Sequence, residues 1–445
     1  MPFHAHKLPN GLQLIGETSP SMKSVAVGFF VRTGSRDETP AESGVSHFLE
    51  HMMFKGTPRR SADDVNLDFD RIGASYNAYT SEENTVYYAA LLPEYLPKGI
   101  EILADILRPS LRQGDFDGEK KVILEEIDMY EDQPGSVAWD RARRIYYDTH
   151  PLGNSVLGTK ESVGALTREQ MQAYFTRRYA ANNIVVSVAG NFDWNEFVAL
   201  ISAACSGWNT DKVGRKNRTE WTNASGLHLL TRAKVQQEYV MFMCGGPPAH
   251  SKMRYAADTL ALAVGDDSGS RLYWALVDPG HADSADCSYV ENDGTGAVYV
   301  SITCEPGNTA GNIARATDVL RAVQKGGITE AELQQAKSKI LSRVVRGSER
   351  PMGRMQAIAS AWSYTGEYRD VDTELANFEA VTLKAVRAYL DAYPIDQNTV
   401  VAFGPLAKLK GARAQSDSKA EPKAKARSTS KPKAKPKEKV KAKRR

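Results

Sequence analysis

Hydrophobic and polar positions follow three different rhythms along this chain, and each rhythm predicts a different kind of element. Lys7 to Ile15 alternates around Asn10-Gly11 and predicts a hairpin closed by a two-residue primed turn. Val25 to Val31, VAVGFFV, is almost continuously apolar and reads as a buried strand. A Gly- and charge-rich loop, TGSRDETPAESG, leads into SGVSHFLEHMMFKGT, Ser43 to Thr57, whose spacing suits a helix. Val65 to Ile72 reads as a second, amphipathic helix. ASYNAYTSEENTVYYAALL then gives two strands around the polar turn Ser81 to Asn84. Asp117 to Tyr130 is a strong helix, and Asn183 to Gly190, NIVVSVAG, closes the series as a strand.

The series then starts again. GLHLL at Gly226 repeats GLQLI at Gly11, VMFMCG after Tyr239 matches VAVGFFV, and NTVVAFG ending at Gly404 matches NIVVSVAG ending at Gly190. The offsets, 215 and 214 residues, predict an internal duplication. The expected fold class is α+β, with two duplicated lobes at 1–210 and 225–410, each a mixed or antiparallel sheet covered by helices. A linker near Trp208 to Ser225 joins them. The second lobe also carries a strong helix opening at Thr329, with Glu332 completing a capping box. Where a counterpart of the Ser43 to Thr57 stretch is due, Leu260 to Gly269 reads LALAVGDDSG, without histidine.

Composition adds a third segment. Residues 413–445 hold fourteen Lys or Arg against three acids, which leaves 43 basic and 51 acidic residues in 1–412. The net charge of +3 therefore hides an acidic body and a basic Lys/Ala/Pro-rich tail. Like-charge repulsion and the lack of aromatics predict that 413–445 is disordered. It suits either nonspecific, salt-sensitive binding to nucleic acid or another polyanion, or simple solubility. No run of eighteen apolar residues exists, so no membrane span is expected. The first residues lack the pattern of a cleaved leader, which gives a cytoplasmic expectation. Cys205, Cys244, Cys287 and Cys304 form no C-x-x-C pair and read as buried, reduced thiols.

The chemistry concentrates in the Ser43 to Thr57 stretch. On a helix His47 and His51 share one face with Glu50 beside them, so two imidazoles and a carboxylate converge. Imidazoles suit zinc, and a neighbouring carboxylate can take a proton from an activated water. The pattern H-x-x-E-H is the inverzincin motif. A catalytic zinc needs a third ligand, and the helix at 117–130 offers Glu119 and Glu126, two turns apart on one face, with Glu125 turned towards solvent.

HFLEH at 47–51, with EKKVILEE at 119–126, resembles the pitrilysin-like zinc metallopeptidases, relatives of the mitochondrial processing peptidase. The likeness extends through LPNGLQLI, RTGSRDE, FKGT, NAYTSEENTVYY, MYEDQPGS, HPLGNSVLGT and VAGNF, and more thinly through SGSRLY at 268–273. It implies one zinc per chain on His47, His51 and Glu126, Glu50 as general base, and Glu119 as a carboxylate behind the ligands. It also implies a dimer. In active relatives the second lobe supplies an Arg and a Tyr six residues apart, yet the gap-free positions here hold Val277 and Ser284, with Tyr289 reachable only by a shift. A heterodimer with a zinc-less paralogue that brings this pair, a homodimer using other residues, and a monomer whose two lobes close like a clam all stay open. The resulting expectation is a zinc endopeptidase for extended peptides, which add as a strand along Asn77-Ala78-Tyr79. The contrasting expectation is a non-catalytic zinc-containing scaffold tethered to polyanions by its tail.

Overall fold

The computed structural model describes residues 1–215, 219–411 and 413–416. Strands β1 (Phe3–Lys7), β2 (Gln13–Thr18), β3 (Val25–Val31), β4 (Ser75–Thr80), β5 (Thr85–Leu91) and β6 (Ile184–Gly190) make a six-stranded sheet ordered β1-β2-β6-β3-β5-β4. β7 (Gly226–Thr231), β8 (Glu238–Gly246), β9 (Ser284–Glu291), β10 (Gly296–Cys304), β11 (Thr399–Gly404) and β12 (Arg413–Ser416) make a second, ordered β12-β7-β11-β8-β10-β9. Both sheets are mixed. β2 runs parallel to β6 as β7 does to β11, and the other shared pairings are antiparallel. The chain is thus an α+β protein of two similar lobes.

Between the strands of the first half run α1 (Val45–Met53), α2 (Ala62–Arg71), α3 (Leu96–Ile106), α4 (Gln113–Glu131), α5 (Pro134–Tyr147), α6 (Lys160–Ala165) and α7 (Arg168–Arg178), with α8 (Trp194–Cys205) following β6. The second half holds α9 (Arg254–Gly265), α10 (Thr309–Gly326), α11 (Glu330–Ser348), α12 (Pro351–Thr365), α13 (Val371–Glu379) and α14 (Leu383–Ala392). Among these described residues no helix is long and apolar enough to cross a membrane.

Alternation explains why β3 is apolar at nearly every position. Val25, Val27, Phe29 and Val31 face the core that contains α1, α3, α4 and α8. Ala26 and Phe30 face Met355, Ile358 and Ala359 of α12, a helix from the other half of the chain. At Gly28 a Cβ would lie 2.8 Å from the Met355 sulfur and 2.9 Å from the Phe30 ring, so glycine makes room for the Met355 side chain of α12 on the sheet. The second lobe mirrors this arrangement. Val240 and Phe242 of β8 face their own helices, while Met241 and Met243 pack with Val137, Ala142 and Tyr146 of α5. Each half therefore lends one helix to the other's sheet.

Buried charge locks the exchange. Arg215 lies 2.8 Å from Asp37 and 3.4 Å from both Glu83 and Asp293. Arg36 pairs with Glu83 at 2.5 Å and donates to the Asp293 carbonyl at 2.7 Å. Arg354 of α12 bonds Glu17 of β2 through Nε at 2.8 Å, and Tyr368 Oη donates to the same carboxylate at 2.7 Å. Hinging the halves apart would strand these charges.

Three local expectations change or fall outside the described residues. The ladder of the first hairpin runs to Lys7↔Gln13 and the Leu8 N–H still donates to the Leu12 carbonyl at 2.9 Å, so the turn is a three-residue one, Pro9 to Gly11, rather than a two-residue one: the Gly11 N–H bonds the Leu8 carbonyl at 2.9 Å and Gly11 takes φ +96°. The basic segment begins as β12, paired with β7 at 413–416. The remainder, 417–445, lies outside the described residues. All four cysteines are buried and free, as their spacing predicts.

Candidate metal centre

α1 is fixed by its apolar positions before it holds anything. Val45, Phe48, Leu49, Met52 and Met53 are buried in the first core, which turns His47, Glu50 and His51 towards α4 and β4. Its N-terminus is held by Glu38, whose two oxygens accept from the Gly44 and Ser46 N–H groups at 2.8 Å each. Gly44 takes φ +90°, and a Cβ there would meet the Leu157 carbonyl oxygen at 2.7 Å. Ser46 Oγ continues inward to Tyr174 Oη at 2.7 Å. α4 lies alongside, with Phe116, Ile123 and Ile127 in the core and Glu119 buried with them.

His47 Nε2 lies 3.7 Å from Glu126 Oε1, and His51 Nε2 lies 3.5 Å from Glu126 Oε2. Ligand atoms about 2.0–2.1 Å from a tetrahedral zinc are about 3.3 Å from one another. His47, His51 and Glu126 each offer a ligand atom within 4.8 Å of the others, so these residues fit such an ion with little adjustment. Glu125 is exposed and takes no part.

Behind the candidate ligands, His51 Nδ1 is hydrogen-bonded to Glu119 Oε1 at 2.9 Å, which leaves Nε2 facing Glu126. Lys55 Nζ grips the other Glu119 oxygen at 2.6 Å. Burial works against the Glu119 anion, but the hydrogen bonds from His51 and Lys55 outweigh it and hold the carboxyl below its usual range. Burial, helped by His51, pushes the His47 imidazole down to about 3 and keeps it neutral, as a ligand must be. His47 is oriented by packing alone: its Nδ1 is buried with no hydrogen-bond partner among the described residues. Glu50 Oε2 accepts from Thr80 Oγ1 at 2.7 Å, while burial raises its carboxyl above the usual value.

β4 ends its sheet, and its two faces differ. Tyr76 and Ala78 pack against the first core on the α1 side, whereas Asn77 and Tyr79 are exposed. The Ala78 N–H is taken by Asn77's own Oδ1 at 2.8 Å. Asn77, Ala78 and Tyr79 thus share a strand but not a face, and what the three offer together is their backbone.

The second lobe differs where it matters. α9 occupies the place of α1, and Arg254, at its start, pairs with Glu291 at 2.8 Å and Glu374 at 2.6 Å. Val277 closes a π-helical turn, Tyr273–Val277, and Ser284 opens β9. Tyr289 Oη donates to the Pro247 carbonyl at 2.5 Å, and Arg271 is bound to Glu332. Lys55, Thr80 and Glu38 were not singled out from sequence. They sit inside FKGT, NAYT and RTGSRDE, and only the packing of α1 assigns them partners.

Known proteins agree with this architecture. Residues 14–160 match the family model described as insulinase, peptidase family M16, and residues 165–340 match the one described as peptidase M16 inactive domain. A Mycobacterium leprae protein named as an uncharacterized zinc protease is 32% identical over 410 residues, covering 91% of this chain and 92% of its own length. The chain belongs to peptidase family M16. A Pseudomonas fluorescens structure titled as a peptidase M16 inactive domain shares the fold with a TM-score of 0.85 at 16% identity, covering 93% of this chain and all of that one. A Helicobacter pylori protease shares it with a TM-score of 0.83 at 21% identity, over 90% and 99% of the two chains.

Proposed function

We propose that this chain is a zinc-dependent endopeptidase that hydrolyses peptide bonds in extended peptides or unfolded segments. The observation that carries the reading is the convergence of His47, His51 and Glu126 at 3.5–3.7 Å, with Glu50 on the same helix face. A zinc ion on those three residues would supply a Lewis acid for the peptide carbonyl and acidify a water. Glu50 takes a proton from the attacking water and returns it to the leaving nitrogen. Thr80 holds Glu50 in place, and Glu119 holds His51. The open edge of β4 pairs with the peptide backbone once Asn77 releases the Ala78 N–H. The name carried by the Mycobacterium leprae relative favours this reading over a zinc-containing scaffold.

The assembly belongs to the same proposal. Because the two lobes are clamped by buried charge, a second chain rather than a hinge supplies the opposite wall of a peptide-enclosing site. That chain is a zinc-less paralogue carrying the Arg and Tyr that Val277 and Ser284 replace, or another copy of this one.

Metal analysis with a peptidase assay tests both parts. The purified protein should hold about one zinc per chain. His51→Ala and Glu126→Gln should lose it, and Glu50→Gln should keep it while activity falls about a hundredfold or more. Zinc retained by Glu126→Gln and lost by Glu125→Gln would overturn the ligand set. Full turnover by the isolated chain as a monomer, unaltered by any paralogue, would overturn the assembly.

A further inference from the structure

The stretch RTGSRDE, Arg32 to Glu38, links two elements of the candidate site to the second half of the chain. Glu38 holds the start of α1. The Ser35 N–H donates to the Ser81 carbonyl at 3.3 Å and the Arg36 N–H to the Glu82 carbonyl at 2.9 Å, so the stretch lies directly along the β4–β5 turn. Gly34 permits this, since a Cβ there would collide with the Ser81 carbonyl oxygen and lie 2.6 Å from that of Glu82. Within the turn the Ser81 N–H donates to the Asn84 carbonyl at 2.8 Å, and Ser81 Oγ accepts from the Asn84 N–H at 3.0 Å. Glu83, 1% exposed, reaches out of the turn to the second half. Its carboxylate accepts from Asn292 Nδ2 at 3.0 Å, from the Asp293 N–H at 3.2 Å and from Tyr364 Oη of α12 at 3.0 Å, besides its pair with Arg36. Asn292 and Asp293 belong to the β9–β10 turn, which has in the second sheet the place that Ser81 to Asn84 has in the first. The two turns meet, and Glu83 joins them.

We infer that Glu83, held by Asn292 and Tyr364, is a positioning residue for Glu50: it fixes the β4–β5 turn and, through it, the Thr80 hydroxyl that orients the Glu50 carboxylate. The inference rests on the endopeptidase reading and gives the half without a metal centre a part in the site. Thr80 is the last residue of β4 and precedes Ser81, so its Cα stands about 3.8 Å from a residue of the turn and any shift of that turn carries it. Its Oγ1 lies 2.7 Å from Glu50 Oε2, and a displacement of about 1 Å would break that bond. Misplacing a reacting group by about 1 Å can cost roughly a hundredfold in rate. The pairs with Arg36 and Arg215 balance the Glu83 charge, whereas its three donors from the second half are neutral and serve to fix where the carboxylate lies.

The test uses the full zinc-loaded chain, an unstructured peptide and the variant N292A/Y364F, which keeps the Arg36–Glu83 pair and so leaves no buried charge uncompensated. In this variant kcat should fall about fivefold to thirtyfold. KM should stay within about twofold, because Asn77 to Tyr79 keep their ladder with β5, and zinc content should be unchanged. Thr80→Val should lower kcat on its own. In that background N292A/Y364F should change kcat by less than about twofold, because the hydroxyl it acts through is gone. Equal fold losses with and without the Thr80 hydroxyl would make Glu83 structural only and overturn the inference, as would an unaltered kcat. A second measurement needs no turnover: in NMR spectra of isotope-labelled threonine methyls, the Thr80 resonance, assigned by its loss in Thr80→Val, should move in N292A/Y364F. A resonance that stays in place overturns the inference whether or not the chain cleaves peptides. A resonance that moves, in a protein whose unsubstituted form cleaves nothing, would instead overturn the peptidase reading and sustain the link from Glu83 to Thr80.

Discussion

Glu119 shows what a single residue contributes from behind the His47, His51 and Glu126 group. It joins Lys55 to His51, accepting at 2.6 Å from one and 2.9 Å from the other, and so fixes which imidazole nitrogen is free for the site. Glu119→Gln keeps the shape but weakens the acceptor and leaves the Lys55 ammonium without its anion. Zinc affinity measured by chelator competition should fall about tenfold to a hundredfold, the usual effect of losing such an outer contact. His47, whose Nδ1 has no hydrogen-bond partner among the described residues, relies on burial instead. An affinity unchanged in Glu119→Gln would mean that packing orients both imidazoles.

At the level of elements, the capping box that opens α11 carries an ion pair the sequence did not reveal. Thr329 Oγ1 accepts from the Glu332 N–H at 3.2 Å, and the Glu332 carboxylate also takes two bonds from Arg271, at 2.6 and 2.8 Å. The Arg271 bonds hold the Glu332 carboxyl down at about 2, below the ordinary 4.5. A depressed carboxyl stabilises the fold above its unfolded pKa, and that contribution is lost as pH falls from 4.5 towards 2. Arg271→Met should therefore cost about 1–2 kcal/mol near pH 7, after allowance for partial exposure, and progressively less below pH 4.5. Urea denaturation at a series of pH values measures it, and a cost independent of pH would assign the loss to packing. Arg271 thus has a structural role at the start of α11.

For the molecule as a whole, α5 packs on the second lobe's sheet and α12 on the first's, and this exchange should make the two lobes unfold together. Arg354→Met would leave Glu17 as an uncompensated buried charge, and stability in denaturant should fall by about 3–5 kcal/mol. The double variant Glu17→Met/Arg354→Met should recover much of that loss, and the unfolding should remain a single transition. Two separate transitions would show that the lobes fold independently. The basic segment acts at this scale too: we propose that it tethers the acidic body to polyanions. Deleting 417–445 should leave peptide cleavage and β12 pairing intact while abolishing salt-sensitive binding to nucleic acid. An unchanged binding isotherm would rule the tether out.

Local sequence determined the elements and much of the candidate site, because periodicity and helical spacing act over a few residues. The apolar run of β3, the shared face of His47 and His51, the two-turn separation of Glu119 and Glu126, and the offset of about 215 residues between the halves are all legible in the letters. What needed tertiary structure depends on contacts that strand and helix spacing do not encode, some of them hundreds of residues apart. VAVGFFV does not say that its second face meets α12, nor does Asn10-Gly11 say that the Asn10 side chain will reach the Cys205 carbonyl. Likewise Lys55, Thr80 and Glu38 are ordinary polar letters until packing brings Lys55 to Glu119, Thr80 to Glu50 and Glu38 to the start of α1. A side chain's partner is decided by which burial satisfies the most groups at once, and that choice belongs to the whole fold.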